Sequence, residues 1–97
     1  MVTIANLMEN LFPKRMQNLV IYAKTEPQIL TENPRKSYVI RNMNENKIAF
    51  LGGPNVTPET GFPLLPGEVL YLNTAADIYA VAEDETEAVE LRVIVLY

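Results

Sequence analysis

The residues best placed to do chemistry are four acids in one short stretch, Glu83, Asp84, Glu85 and Glu87. Carboxylates collected this densely can hold a hard cation such as Ca²⁺. They lack the spacing and the turn glycine of a known calcium loop, so a solvated tip between two strands is the expectation. A general acid/base pair needs two carboxyls set across a cleft, and nothing in the spacing provides one. Gly52-Gly53 precedes Pro54 rather than a helix, so it does not read as a phosphate cradle. The remaining candidates are removed by composition. The 97 residues contain no Cys, no His and no Trp, and the only Ser is Ser37. Thiolate chemistry, disulfides, His-ligated metals and Ser-His or Cys-His nucleophiles are therefore unavailable. The sequence predicts a non-enzyme with no cofactor and no metal site.

Charge argues in the same direction. The net charge is −4, and the chain has no basic run longer than two residues. Phosphate backbones are bound by clustered Lys and Arg, so nucleic acid is not an expected partner. Residues 1–50 carry seven basic side chains against four Glu, whereas residues 51–97 carry only Arg92 against eight acids. Two halves of opposite sign either complement each other within one fold or meet another subunit. The apolar runs, such as Leu19 to Ala23 and Val93 to Tyr97, are far too short to span a membrane. The beginning of the chain has no positive segment of secretory type, and the expectation is synthesis in a cytoplasm.

The elements that must position these residues are mostly strands. Residues 1–15 are the exception. Ile4, Leu7, Met8, Leu11 and Phe12 recur at the helical period, with Thr3 as N-cap and Pro13 as stop. A helix this short needs a surface to dock on, either its own core or a partner. The rest, residues 16–97, reads as one antiparallel β-sandwich or barrel-like sandwich. Strands are expected at Leu19 to Tyr22, Ser37 to Asn42, Lys47 to Leu51, Val69 to Leu72, Ile78 to Ala82 and Ala88 to Tyr97. Turn formers at 42–46, 73–77 and 83–87 predict three hairpins joining successive strands.

Residues 52–67 hold all four glycines and four of the seven prolines, which specifies a particular path for a long loop. Pro66-Gly67 fits the centre of a type II turn, and Phe62, Leu64 and Leu65 are candidate anchors onto the sheet. Such a loop is either functional or an arch between sheets. In the last strand Val89, Leu91, Val93, Val95 and Tyr97 share a core face. The opposite face turns from Glu90 and Arg92 to Ile94 and Leu96, and a strand apolar on both faces needs cover on both sides.

From Arg35 onward the sequence resembles small β-rich structural proteins of tailed bacteriophages. The resemblance rests on Arg41-Asn42, Leu51-Gly52-Gly53-Pro54-Asn55-Val56-Thr57, Gly61-Phe62-Pro63-Leu64-Leu65-Pro66-Gly67-Glu68 and Ile78-Tyr79-Ala80-Val81-Ala82. It implies a non-enzymatic β-sandwich of the virion, assembled in the host cytoplasm. The expected role is a capsid decoration or cement subunit that contacts copies of itself and a capsid or connector protein. A neck or tail adaptor or a head-fibre base is the alternative within that class. A carbohydrate-binding module using the 52–67 loop and nearby tyrosines is the alternative outside it. Expected interface residues are Ile4, Leu7, Met8, Leu11, Phe12, Asn55, Phe62, Ile94 and Leu96.

Overall fold

The computed structural model describes residues 16–30, 36–74 and 76–96. The expected helix with Ile4, Leu7, Met8, Leu11 and Phe12 lies outside the described residues, as does Tyr97. The described residues form eight strands: β1 (Met16–Ala23), β2 (Gln28–Ile29), β3 (Lys36–Asn42), β4 (Ala49–Gly52), β5 (Phe62–Leu64), β6 (Val69–Thr74), β7 (Tyr79–Ala82) and β8 (Val89–Leu96). They make two four-stranded antiparallel sheets. The long sheet has the order β1-β8-β3-β6, and the short sheet has the order β2-β7-β4-β5.

The alternation of side chains explains the long sheet. Tyr38 and Ile40 of β3 are buried while Arg41 is exposed, and Val89, Leu91, Val93 and Val95 of β8 are all buried. These residues join Ala49, Leu51, Leu64, Ala80 and Ala82 of the short sheet in one buried cluster. The alanines of β7 leave room for the larger side chains opposite, so the two sheets contribute unequal volumes to a shared core.

Six of the eight strands lie where the sequence reading expects them, β2 and β5 were not expected, and the pairing differs. None of the three expected hairpins forms. β3 pairs with β6 and β8, whereas β4 pairs with β5 and β7, so residues 43–48 cross from one sheet to the other. Likewise β6 lies in the long sheet and β7 in the short one, and the acidic 83–88 segment crosses back to β8. Turn-forming residues determine that the chain reverses. They do not determine whether it returns to the same sheet or to the other one. The hairpin that does form, β4–β5, lies where the sequence suggests only loop, because β5 is three residues long and contains Pro63.

The 52–67 segment therefore has two parts. Its first part is the β4–β5 connection, held by mutual hydrogen bonds between Thr57 and Thr60 and by Gly61 N donating to Thr57 O at 2.8 Å. Val56 is buried beneath it. A Cβ on Gly61 would lie 2.7 Å from Phe50 Cβ and 2.8 Å from Val56 Cγ2, so this glycine is required for space. The second part is a crossing between sheets over residues 65–68. Glu68 N donates to Leu65 O at 2.9 Å, and Gly67 has φ of 79°, which fits the expected Pro66-Gly67 type II turn. Of the three expected anchors only Leu64 is buried, whereas Phe62 and Leu65 are exposed.

Asn42 joins these crossings. It is fully buried, and its Nδ2 donates to Lys47 O and Leu64 O, each at 2.9 Å. Its Oδ1 accepts from Asn44 N at 2.8 Å, and its main chain bonds to Gly67 N and Glu68 O. One amide side chain thus fixes the exit from β3 and the approach to β6, with every polar group paired.

Candidate interaction surface

The outer face of the long sheet is built by the residues that alternate with its core positions. Register places them in rows across the four strands. Met16 lies beside Leu96, and Asn18, Ile94, Val39 and Tyr71 follow one another in the next row. Val20, Arg92, Arg41 and Val69 form the third row, and Tyr22 lies beside Glu90. Met16, Val20, Tyr22, Val69 and Tyr71 are exposed, the last to 75 %. Ile94, Leu96 and Val39 are half-buried between them. Single exposed apolar residues are ordinary, but a set spanning four strands makes this face the candidate contact surface.

Two cations interrupt this face. Arg92 Nε donates to Glu90 Oε2 at 2.6 Å, two residues away on the same strand. Arg41 sits opposite Arg92 in the register and makes no ion pair among the described residues. The face is therefore apolar around a centre made of Arg41 and the Arg92–Glu90 pair.

The expected interface residues separate accordingly. Ile94 and Leu96 lie on this face. Asn55 is exposed in the β4–β5 connection, and Phe62 is exposed to 60 % at the edge of the short sheet. Neither of these two is part of the long-sheet face. Met16, Val20, Tyr22, Val39, Val69 and Tyr71 were not singled out by the sequence reading. The signal was present in β1, where Met16, Val20 and Tyr22 alternate with Leu19 and Ile21. That two-sided apolar pattern is the one that flags the last strand.

The acidic segment is engaged in the fold. Lys47 Nζ lies 3.0 Å from Asp84 Oδ2 and 3.7 Å from Glu83 Oε2, and Ile48 N donates to Glu83 Oε1 at 3.2 Å. Asn44 Nδ2 donates to Glu87 Oε1 at 3.1 Å. These contacts tie the 43–48 crossing to the 83–88 crossing and pair a cation of the first half with acids of the second. The Thr86 side chain, then Lys47, bonds the Asp84 carboxylate and draws its pKa down to about 2. Among the described residues, no group of three or more His, Cys, Asp or Glu is placed to hold a metal ion, and no helix is long and apolar enough to cross a membrane.

The tyrosines divide by depth. Tyr22 and Tyr71 are exposed on opposite edges of the long sheet, and Tyr79 is half-buried beside Gly52. Tyr38 is 1 % exposed, and its hydroxyl finds no hydrogen-bond partner among the described residues. Burial, reinforced by the Asp77 carboxylate, pushes its phenol up to about 12, with the nearby Ile78 main chain opposing.

Comparison with known families, curated proteins and solved structures finds no match. The surface chemistry must be read from this chain alone.

Proposed function

We propose that this protein is a non-enzymatic structural subunit of a tailed-phage virion. Its role is capsid decoration or cementing, through contacts with copies of itself and with a capsid or connector protein. The outer face of the long sheet carries this reading, because it presents apolar side chains on four strands around Arg41 and Arg92. A face of that composition gains free energy when another surface covers it. The partner surface is apolar with an acidic group opposite Arg41.

Strand order supports the reading. We take the two sheets as the layers of a sandwich, and the orders β1-β8-β3-β6 and β2-β7-β4-β5 follow an eight-stranded jelly roll. That architecture serves viral capsid domains, and it serves lectins and cupins as well, so it supports without deciding. The resemblance from Arg35 onward favours the virion among these. A neck or tail adaptor or a head-fibre base would use the same face, and the virion position follows from whichever particle component binds.

The test is co-sedimentation of purified protein with phage particles that lack it. Binding by the natural chain, lost in Val20→Asp and Tyr71→Asp variants that remain folded by circular dichroism, supports the proposal. Absence of binding to particles and to their major subunits overturns it. Hits on a glycan array would transfer the function to the carbohydrate-binding class.

A further inference from the structure

Residues 1–15 lead directly into the outer face of the long sheet. They end at Met16, which is exposed and lies beside Leu96 in the first row of that face. They carry the stripe of Ile4, Leu7, Met8, Leu11 and Phe12 between Thr3 and Pro13, and a helix of that length is not stable in water without a surface beneath it. The outer face is a surface of the matching kind. Val20, Tyr22, Val69 and Tyr71 are exposed on it, and among the described residues nothing is packed over them.

The lengths agree. Ile4 to Phe12 rises about 12 Å in a helix. From β1 across β8 and β3 to β6 is about 14 Å. Residues 13–15 reach about 10 Å when extended, which is about the separation of two packed layers.

The charges agree as well. Glu9 is the only acid in the segment, and in a helix its place three residues before Phe12 borders the stripe. It falls between the two ends of the stripe and so over the middle strands, β8 and β3. There β3 supplies Arg41, which is exposed and makes no ion pair among the described residues.

We propose that residues 1–15 dock as a helix across the outer face of the long sheet of their own chain, with Glu9 at Arg41, and cover it until a partner takes their place. The docking stands on the segment and the face alone, whereas the exchange with a partner rests on the functional reading. A second copy laid face to face is the weaker occupant. Four strands of eight residues make a face of roughly 19 by 26 Å. Two such faces would bury about 1,000 Å² in total, below the about 1,200–2,000 Å² of stable interfaces. The segment needs no such area, because its short link holds it near the face at an effective concentration of about millimolar.

The chain contains no cysteine, so a single introduced thiol reports its own cover. Tyr71 lies on the strand farthest from β1, where a segment must cross the whole sheet to protect it. Alkylation of Tyr71→Cys in the full chain is expected to be about ten-fold slower than that of Phe62→Cys at the edge of the short sheet, as a mostly closed equilibrium gives. Adding Met8→Asp and Leu11→Asp is expected to bring Tyr71→Cys up to the control rate. Glu9→Lys is expected to raise it partway, and Arg41→Glu added to Glu9→Lys is expected to lower it again. Equal rates for the two thiols in chains that keep their native circular dichroism overturn the docking. So does protection that rises with protein concentration, which would make the cover a second copy.

Co-sedimentation with particles reads the exchange separately. Stronger binding by the Met8→Asp, Leu11→Asp chain supports it, and unchanged binding overturns the exchange while the docking stands. Absence of binding by every variant overturns the virion role and the exchange with it, and the alkylation rates still decide the docking.

Discussion

The two sheets share one core and differ in nearly everything else. Strands of the long sheet run six to eight residues, and those of the short sheet two to four. The short sheet covers the core with small side chains such as Ala49, Ala80 and Ala82, and its edges are too short or too proline-bound to recruit another strand. The long sheet has apolar residues on both faces and an uncharged eight-residue edge. Folding requires only the inner face. Apolar side chains are left over on the outer face, and this is the face that the proposed function uses.

The largest expected effect comes from breaking what joins the two sheets. Asn42→Leu removes three side-chain hydrogen bonds and leaves the carbonyls of Lys47 and Leu64 without their donor. Buried unpaired groups of this kind cost about 1–3 kcal/mol each, so a loss of about 3–5 kcal/mol in chemical denaturation is expected. A change within about 0.5 kcal/mol would show that the crossings hold without it.

Gly61→Ala probes the short sheet alone. The added methyl meets Phe50 Cβ and the buried Val56, and overpacking of this kind costs about 1–3 kcal/mol. Thermal unfolding checks it, with Gly53→Ala as the control, because nothing lies within 4 Å of a Cβ at Gly53.

Tyr38→Phe addresses the inner face of the long sheet through pH. The folded phenol titrates at about 12, above its ordinary value of 10.0, so the folded state holds this proton more tightly than the unfolded chain. Stability is therefore independent of this ionisation below pH 10 and falls as pH rises toward about 12. Denaturation series across that window are expected to fall more steeply for the natural chain than for Tyr38→Phe. At neutral pH the variant is expected to be as stable or slightly more so, because it removes a buried hydroxyl that has no partner among the described residues.

The smallest stability effect belongs to the outer face. Tyr71→Ser is expected to change stability by no more than about 0.5 kcal/mol, since the side chain is 75 % exposed. The same variant is expected to weaken particle binding, measured by co-sedimentation. A large loss of stability would mean that Tyr71 belongs to the fold and would dissolve the contrast between the two sheets.

Six of the eight strand positions were legible because they depend on local alternation, whereas β2 and β5, two and three residues long, offer too little of it. Tyr38 and Ile40 against Val39 and Arg41, and Val89 to Val95 on one side of β8, follow from residue type and a period of two. The Pro66-Gly67 turn was legible for the same reason, as proline and glycine select its dihedral angles locally. Ile94 and Leu96 were found as surface residues because they break the polar pattern of one face. The partners of those strands were not legible. Asn44, Glu45 and Asn46 suit a hairpin as well as an arch, and the choice depends on residues far away in sequence, such as Leu64 and Gly67 bonding to Asn42. The role of Gly61 was hidden similarly, since its neighbour Val56 reaches it only once β4 and β5 pair.

By itself the sequence determined a small β protein without thiol or imidazole, with glycine and proline concentrated in one segment. Those properties belong to residue types and need no neighbours. Only the tertiary structure decided that the connections cross between sheets and that Glu83 and Asp84 meet Lys47. It also decided that Met16, Val20, Tyr22, Val69 and Tyr71 come together on one exposed face. The reason is physical: a side chain's type is local, but its exposure depends on which strand lies beside it and which sheet lies beneath.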